Sequence, residues 1–272
     1  DVWFSDSPEG RSALPCEIDS WIPQGESAFW VRVPKLDAKT CIYMFWGVPP
    51  PEAAGNPWGD YAGVWHFNSF TDGQFEDSTD NGNSLLPNTD GDSFETVSDI
   101  SRIGRAKSGA GALKLGDYLT HVAALNGGKR GDSSLSGWFY APSYARKTGL
   151  YYFYPVMAET SFDQKGWYCE STRPCEMHLW SKAAGAQKEF RSQIPDYRFE
   201  WVHLAFVSDE TAGCWYAYIN GVRFGDPIAN ETLDTELGQN LTLSGDYLDE
   251  LRLRTSPSSD EWIEVEYLQG AD

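Results

Sequence analysis

The sequence predicts an all-β protein, and three observations carry that prediction. Aromatic residues make up 15% of the 272 positions, with 12 Trp among them, and they fall in short runs. These runs are punctuated by 26 glycines and 15 prolines, as strands joined by turns require. Sustained helical periodicity is missing from almost the whole sequence, which favours a sandwich or barrel over a helical bundle. At this length, one large β domain with or without a smaller neighbour buries a sizeable core and needs no disulfide or metal to be stable.

The first fifty residues contain about four strand-like runs: VWF (2–4), CEI (16–18), AFWVRV (28–33) and CIYMFWG (41–47). AFWVRV partly alternates and stops at Pro34, whereas the continuous apolar run CIYMFW suits a buried strand. Four short strands are too few to close a domain, so residues 1–50 read as a small, incomplete N-terminal β domain. Residues 51–61 follow as a linker, because VPPPEAAGNPWGDY has three consecutive prolines and two glycines.

Residues 62–272 form the main domain. GVWHFN (63–68) opens it, and FTDGQFEDSTDNGNSLLPNTDGDSF is a polar loop too rich in Asp, Asn and Gly to be core. Strand-like runs continue at 111–115, 134–142, 149–158, 176–183, 201–209, 214–224, 241–245 and 249–255. The spacing is that of an antiparallel β-sandwich. Asn220-Gly221 marks a hairpin, since a type I′ turn needs positive φ at both central residues. EWIEVEYL (261–268) reads as a last strand, and any helix is short, near 98–105 or at 258–266.

With 40 acidic against 21 basic residues, the formal charge of −19 excludes nucleic acid as a partner and disfavours anionic lipid surfaces. No apolar run approaches the roughly 20 residues that cross a bilayer. The chain opens at Asp1 rather than Met, as a mature form, a fragment or a trimmed chain does, so a missing leader says nothing against export. Of five cysteines, Cys169 and Cys175 bracket the polar loop CESTRPC and can close it. Cys16 and Cys41 sit in strand-like runs and can pair across neighbouring strands, leaving Cys214 as a buried thiol. Two bridges imply an oxidising, extracytoplasmic compartment: secreted, periplasmic or cell surface.

Three segments carry a family likeness. SGWFYAP, WVHLAFVSDETAGCWYAYINGVRFG and LDELRLR follow one another in the order and spacing of laminin-G-like, concanavalin A-like jelly rolls, which this region resembles. DVWFSDSPEG, LPCEIDSW, AFWVRVPKL and CIYMFWG resemble a bacterial domain of unknown function that often precedes such jelly rolls, and SSDEWIEVEY resembles the closing strand of that pairing. That first domain normally starts further upstream, so its early strands are missing here, disordered or supplied by something else. The resemblance implies an exported bacterial envelope or secreted protein. Its jelly roll binds a glycan or a cell-surface protein, in adhesion or recognition, and does not catalyse. A second implication is a structural or assembly subunit, self-associating or docked on a neighbouring chain that completes the N-terminal domain.

Four kinds of site chemistry are weighed against plain structural roles. Asp77, Asp80, Asn81 and Asn83 crowd one loop with the hard oxygen ligands calcium prefers. It is not an EF-hand, because Thr79 and Asn88 stand where ligands belong when Gly82 is aligned with the invariant glycine. The resemblance implies that such a loop shares a structural calcium with Asp249, or with Glu250 in reserve; a solvated turn loop is the alternative. Glu261, Glu264 and Glu266 are the nearest approach to glycosidase carboxylates alternating along a strand, but the full pattern is absent, and glycoside hydrolysis is the lesser alternative. Of the four histidines, His66, His121, His178 and His203, none forms a zinc-spaced pair; His66 and His203 read as hydrogen-bonded core residues. Trp167 and Tyr168 stand at the edge of the Cys169–Cys175 loop, where a stiffened aromatic platform suits the C–H face of a sugar. Trp58 and Tyr61 are a second aromatic pair, with packing as the alternative role.

Overall fold

The computed structural model describes residues 2–87, 94–109, 112–115, 132–140, 156–160, 163–168, 176–183, 186–197, 199–229, 241–244 and 246–271, with residues 112, 114–115, 156–192 and 241–244 described by their backbone. The chain divides into two compact units, Asp1–Gly59 and Asp60–Asp272.

The first unit holds β1 (Val2–Ser5), β2 (Cys16–Ser20), β3 (Ala28–Val31) and β4 (Tyr43–Trp46), paired antiparallel as β1 with β4 and β2 with β3. Its core is aromatic. Trp3 stacks on Phe45 with centroids 4.3 Å apart and donates its indole N–H to the Val48 carbonyl at 3.0 Å. Trp30 packs on Trp58 at 5.5 Å and donates to Asp19 at 2.8 Å, while the Trp58 indole donates to Glu17. Residues 51–59, read from sequence as linker, therefore lie within this unit. Two expectations are corrected. CIYMFW is not a buried strand: β1 is the one described partner of β4, nothing described layers over its outer face, and Tyr43, Met44 and Trp46 are exposed. Cys16 and Cys41 are free thiols rather than a bridge, because β2 and the chain leading into β4 belong to two different two-stranded sheets, not to neighbouring strands.

The second unit begins with β5 (Tyr61–Trp65), β6 (Phe70–Thr71), β7 (Gln74–Phe75), β8 (Leu86–Pro87), β9 (Glu95–Val97), β10 (Ala106–Ser108) and β11 (Ala112–Leu115). It continues with β12 (Ser133–Tyr140), β13 (Val156–Thr160), β14 (Asp163–Tyr168), β15 (Glu176–Ala183), β16 (Ala186–Gln193) and β17 (Trp201–Asp209). Last come β18 (Cys214–Ile219), β19 (Val222–Ala229), β20 (Leu241–Ser244), β21 (Tyr247–Arg254) and the helix α1 (Asp260–Gly270). Two large antiparallel sheets result, with β6 and β7 paired apart from them. One runs β19-β18-β17-β12-β21-β10-β9, with β5 also on β21; the other runs β16-β15-β14-β13-β20-β11-β8. The all-β sandwich read from the sequence is the architecture observed.

Period-two alternation explains the first sheet's packing. Val202, Leu204 and Phe206 of β17, Trp215, Ala217 and Ile219 of β18, and Leu251 and Leu253 of β21 point into the sandwich. There they meet Leu113 from the opposite sheet, together with Leu85 and Phe94. Each such side chain contributes about 1.5–3 kcal/mol when fully buried. Ala205, Val207 and Tyr218 point the other way and are covered by Ile263 of α1. Strand β17 reads as a continuous apolar run because both of its faces are buried.

The helix corrects the strand reading of EWIEVEYL and agrees with the alternative of a short helix at 258–266. Ser259 caps it by accepting from Trp262 N, Asp260 and Glu261 lie in its first turn, and Ile263, Glu266 and Gly270 are its buried positions. That spacing of three and four is helical, not the period of two a strand needs. Residues 98–105 form bends rather than a helix. No described helix is long and apolar enough to cross a membrane.

Candidate functional site

The face of the first sheet beneath α1 carries a buried polar layer. Glu266, 5% exposed, accepts from the Tyr61 hydroxyl at 3.0 Å and the Trp262 indole at 2.9 Å through Oε1, and from Ser136 Oγ at 2.7 Å through Oε2. Glu250 accepts from Arg252 at 3.0 Å and bonds His66 Nδ1 at 2.8 Å, and Arg252 reaches Gln269 of α1 at 3.2 Å. Burial alone raises the Glu250 carboxyl, but His66 and Arg252 beside it more than offset this and hold it below the ordinary carboxylate value. Burial likewise raises Tyr61, with the Glu266 charge acting in the same sense. His203 lies between Trp138 and Tyr267 with ring centroids 5.3 and 6.2 Å away, and burial, assisted by Arg252, pushes it down to about 3, so it is a neutral core residue. This layer fastens helix to sheet.

The carboxylates weighed as glycosidase groups do not converge. On a helix Glu264 and Glu261 face solvent while Glu266 is buried under Tyr61 and Ser136, so no two of them flank an open site.

Beside the start of α1 an open cavity of about 410 Å³ is cut into the outer face of the same sheet, lined among others by Asp209, Tyr216, Tyr218, Arg223, Asp260 and Glu261. Alternation aims Tyr216 and Tyr218 to one side of β18. The hairpin register sets Arg223 of β19 directly across from Tyr218. Asp260 Oδ1 accepts from both the Tyr218 hydroxyl and Arg223, each at 2.6 Å. The Arg223 guanidinium lies 4.2 Å from the Tyr216 ring centre, a cation–π contact that keeps it flat. Burial and the Asp260 acceptor push the Tyr218 hydroxyl up to about 12. Burial works to raise Asp260, yet bonds from Tyr218 and Arg223 hold it below its ordinary value. Glu261 is lowered by hydrogen bonds from its own N–H and from Ser259. Arg223 and Asp260 keep 39% and 54% of their side-chain surface exposed, so both are held in place and still reachable by a ligand. Sequence reading missed this site. The available signal was Asn220-Gly221, whose two-residue turn fixes 218 opposite 223.

The acidic loop is ordered by its own protein donors. Asp77 Oδ1 accepts from Val64 N at 3.0 Å and Thr79 N at 2.9 Å, and Oδ2 accepts from Thr79 Oγ1 at 2.6 Å and Asn83 N at 2.8 Å. Asn81 and Asn83 donate to the Tyr61 and Ala62 carbonyls, and Asp80 is exposed. Asp249 serves elsewhere: its Oδ2 accepts from Arg102 N at 2.6 Å and Ile103 N at 3.1 Å. Simple strand alternation would send Asp249 and Glu250 to opposite faces, and it is interrupted here. The register against β12 slips between Ser136 and Trp138, and Glu250 has φ 49°, so this bulge spends one residue of the alternation. Both carboxylates then bond groups on the outer face.

Trp167 and Tyr168 are the last two residues of strand β14, paired with Met177 and Glu176 at the start of β15, directly before residue 169. Their side chains lie outside what is described, as do Cys169, Cys175 and His121 altogether and the side chain of His178. Trp58 and Tyr61 are 5% and 9% exposed and take the packing role. Cys214 is a half-buried free thiol.

No protein-family model matches the chain, and no curated protein does. Solved structures share the β-sandwich. One is the binding domain of paraclostridial mosquitocidal protein 1, at 12% identity over 76% of this chain and 52% of that one, with a TM-score of 0.55. Another is domain 4 of AbnA, a GH43 extracellular arabinanase from Geobacillus stearothermophilus in complex with arabinotriose, at 18% identity over 76% and 97%, TM-score 0.53. A third is the botulinum neurotoxin serotype D ligand-binding domain in complex with N-acetylneuraminic acid, at 15% identity over 77% and 50%, TM-score 0.52. The match spans about half the length of the two toxin domains. At these identities the likeness establishes the fold.

Proposed function

We propose that this chain is a non-catalytic recognition module of an exported bacterial protein, binding a glycan or a protein through its sandwich. The observation that carries this reading is the open cavity in which Tyr216, Tyr218, Arg223 and Asp260 hold one another in fixed positions. Preorganised aromatic and polar groups lower the ordering cost of binding. Its fold relatives support the reading, since two of them were solved with a sugar bound. Glycan-array binding that is lost in Tyr216→Ala, with folding unchanged, is the expected result; absence of binding to any glycan or surface protein refutes it. Trp167 and Tyr168 are the second place to test, by Trp167→Ala.

The assignment outside the cytoplasm and the kinship of the first unit with a bacterial domain of unknown function rest on the sequence resemblance. A calcium in the acidic loop has the least support, because four protein donors already occupy the Asp77 carboxylate. Melting curves with calcium and with chelator decide it.

One observation favours a second reading, assembly through the first unit. Trp46 and Met44, two positions apart on one face of β4, are 68% and 49% exposed, an apolar strand face of the kind that packs against another chain. A discrete oligomer in sedimentation at micromolar concentration supports assembly, and a monomer refutes it.

A further inference from the structure

We infer that the cavity at the start of α1 takes a neutral, polyhydroxylated ligand and rejects acidic sugars. The inference rests on the glycan-binding reading above and adds the ligand's charge class. Asp209, Asp260 and Glu261 bring three carboxylates to the cavity, against the single guanidinium of Arg223. That guanidinium already faces a carboxylate: Asp260 is 2.6 Å from it. An arginine that recognises an acidic sugar does so with its charge and both forks available. Here an incoming carboxylate meets an arginine already neutralised, with two further negative charges nearby. The formal charge of −19 on the whole chain adds repulsion over the longer approach.

A neutral sugar meets the opposite situation. Its hydroxyls both donate and accept, and the cavity supplies both kinds of partner. The carboxylates of Asp209, Asp260 and Glu261 accept, and Arg223 donates. The tyrosines give the apolar surface on which the C–H face of a pyranose or furanose ring packs. A basic peptide is attracted by the net negative charge, but its lysine side chains offer donors alone, and its cationic groups are opposed by Arg223 where that side chain lies against Tyr216.

Titration calorimetry on the full chain with four probes tests the inference: arabinotriose, a neutral β-glucan oligosaccharide, N-acetylneuraminic acid and a lysine-rich peptide. Binding of a neutral probe, weakened about tenfold or more (about 1.4 kcal/mol) by Tyr216→Ala and by Arg223→Ala, is expected, with the folding of each variant checked by its melting curve. In the double variant Asp209→Asn/Glu261→Gln, N-acetylneuraminic acid is expected to gain affinity. Preference of the unaltered chain for N-acetylneuraminic acid overturns the charge assignment and leaves the glycan reading standing. Preference for the peptide, or neutral binding indifferent to both single variants, overturns the assignment of this cavity. Absence of binding to all the sugars removes the glycan reading, and this inference with it.

Discussion

Tyr61, the first residue of β5, donates its hydroxyl to Glu266 of α1, 205 positions later, at 3.0 Å. With Trp262 and Ser136 also donating to Glu266, one carboxylate ties the helix to strands β5 and β12. Removing an acceptor that serves three buried or half-buried donors leaves them unsatisfied. Glu266→Ala is therefore expected to cost about 2–4 kcal/mol. Tyr61→Phe, which leaves the other two bonds in place, costs about 1 kcal/mol. Urea unfolding of the two variants checks the ranking; equal losses contradict it.

Stability is expected to fall on acidification, starting above the range where carboxylates titrate. His203 titrates at about 3 in the folded chain and near 6.5 when unfolded. Between these values the unfolded state binds one more proton, so stability rises with pH by about 1.36 kcal/mol per unit and is lost as pH falls from about 6.5 toward 3. Glu250 acts in the same sense lower down. Its folded value is depressed, so its contribution is present above the unfolded carboxylate value and is lost as pH falls through the folded one. The slope of unfolding free energy between about pH 6 and 4.5 is expected to drop by one proton in His203→Leu. Identical slopes contradict the assignment.

The bulge at Glu250 has its counterpart in Gly137 on the neighbouring strand. A Cβ at Gly137 would lie 3.0 Å from Leu251 Cδ1 and 3.3 Å from Leu251 Cα, and the second of these is backbone that cannot move aside. Gly137→Ala is expected to destabilise by about 1–3 kcal/mol through overpacking. A melting temperature unchanged by this substitution contradicts the close approach.

The strands legible in the sequence were those in which packing and pattern agree. WVHLAFVSD and EMHLWSKA coincide with β17 and β15 residue for residue. DQKGWY and AQKEFRSQ became β14 and β16 without an apolar alternation to announce them, because a strand can be held by neighbours whose pairing the local sequence does not encode. CIYMFW misled in the opposite way: apolar content implied burial, yet the strand stands at an exposed edge. EWIEVEY alternates on paper, but Ser259 at the cap position and the turn of acidic residues after it decide for helix. Asp77 was read from the sequence as one of four calcium ligands in its loop, whereas its partners are the Thr79 hydroxyl and the N–H groups of Thr79, Asn83 and Val64, the last brought in by the fold of β5 and not by local spacing.

The Asn220-Gly221 turn offers the sharpest separation of backbone from side-chain effects, and the candidate cavity depends on the register it sets. Asn220 and Gly221 have φ of 50° and 77°, the left-handed pair a type I′ turn needs. Asn220 adds a second contribution, accepting from His203 N through Oδ1 at 2.9 Å while its own N–H reaches the His203 carbonyl at 2.8 Å. Asn220→Gly keeps the favoured conformation and loses the side-chain bond, so it is expected to cost about 1 kcal/mol. Asn220→Ala loses the bond and also forces a Cβ into the left-handed region, raising the cost to roughly 2–3 kcal/mol. Gly221→Ala adds a clash, since its Cβ would lie 3.0 Å from Tyr267 and 3.2 Å from the Glu264 Cα in α1. Denaturant midpoints for the three variants should therefore fall in the order glycine at 220 first, then alanine at either position. If alanine and glycine at 220 prove equally stable, the turn is not holding the register that sets Arg223 opposite Tyr218.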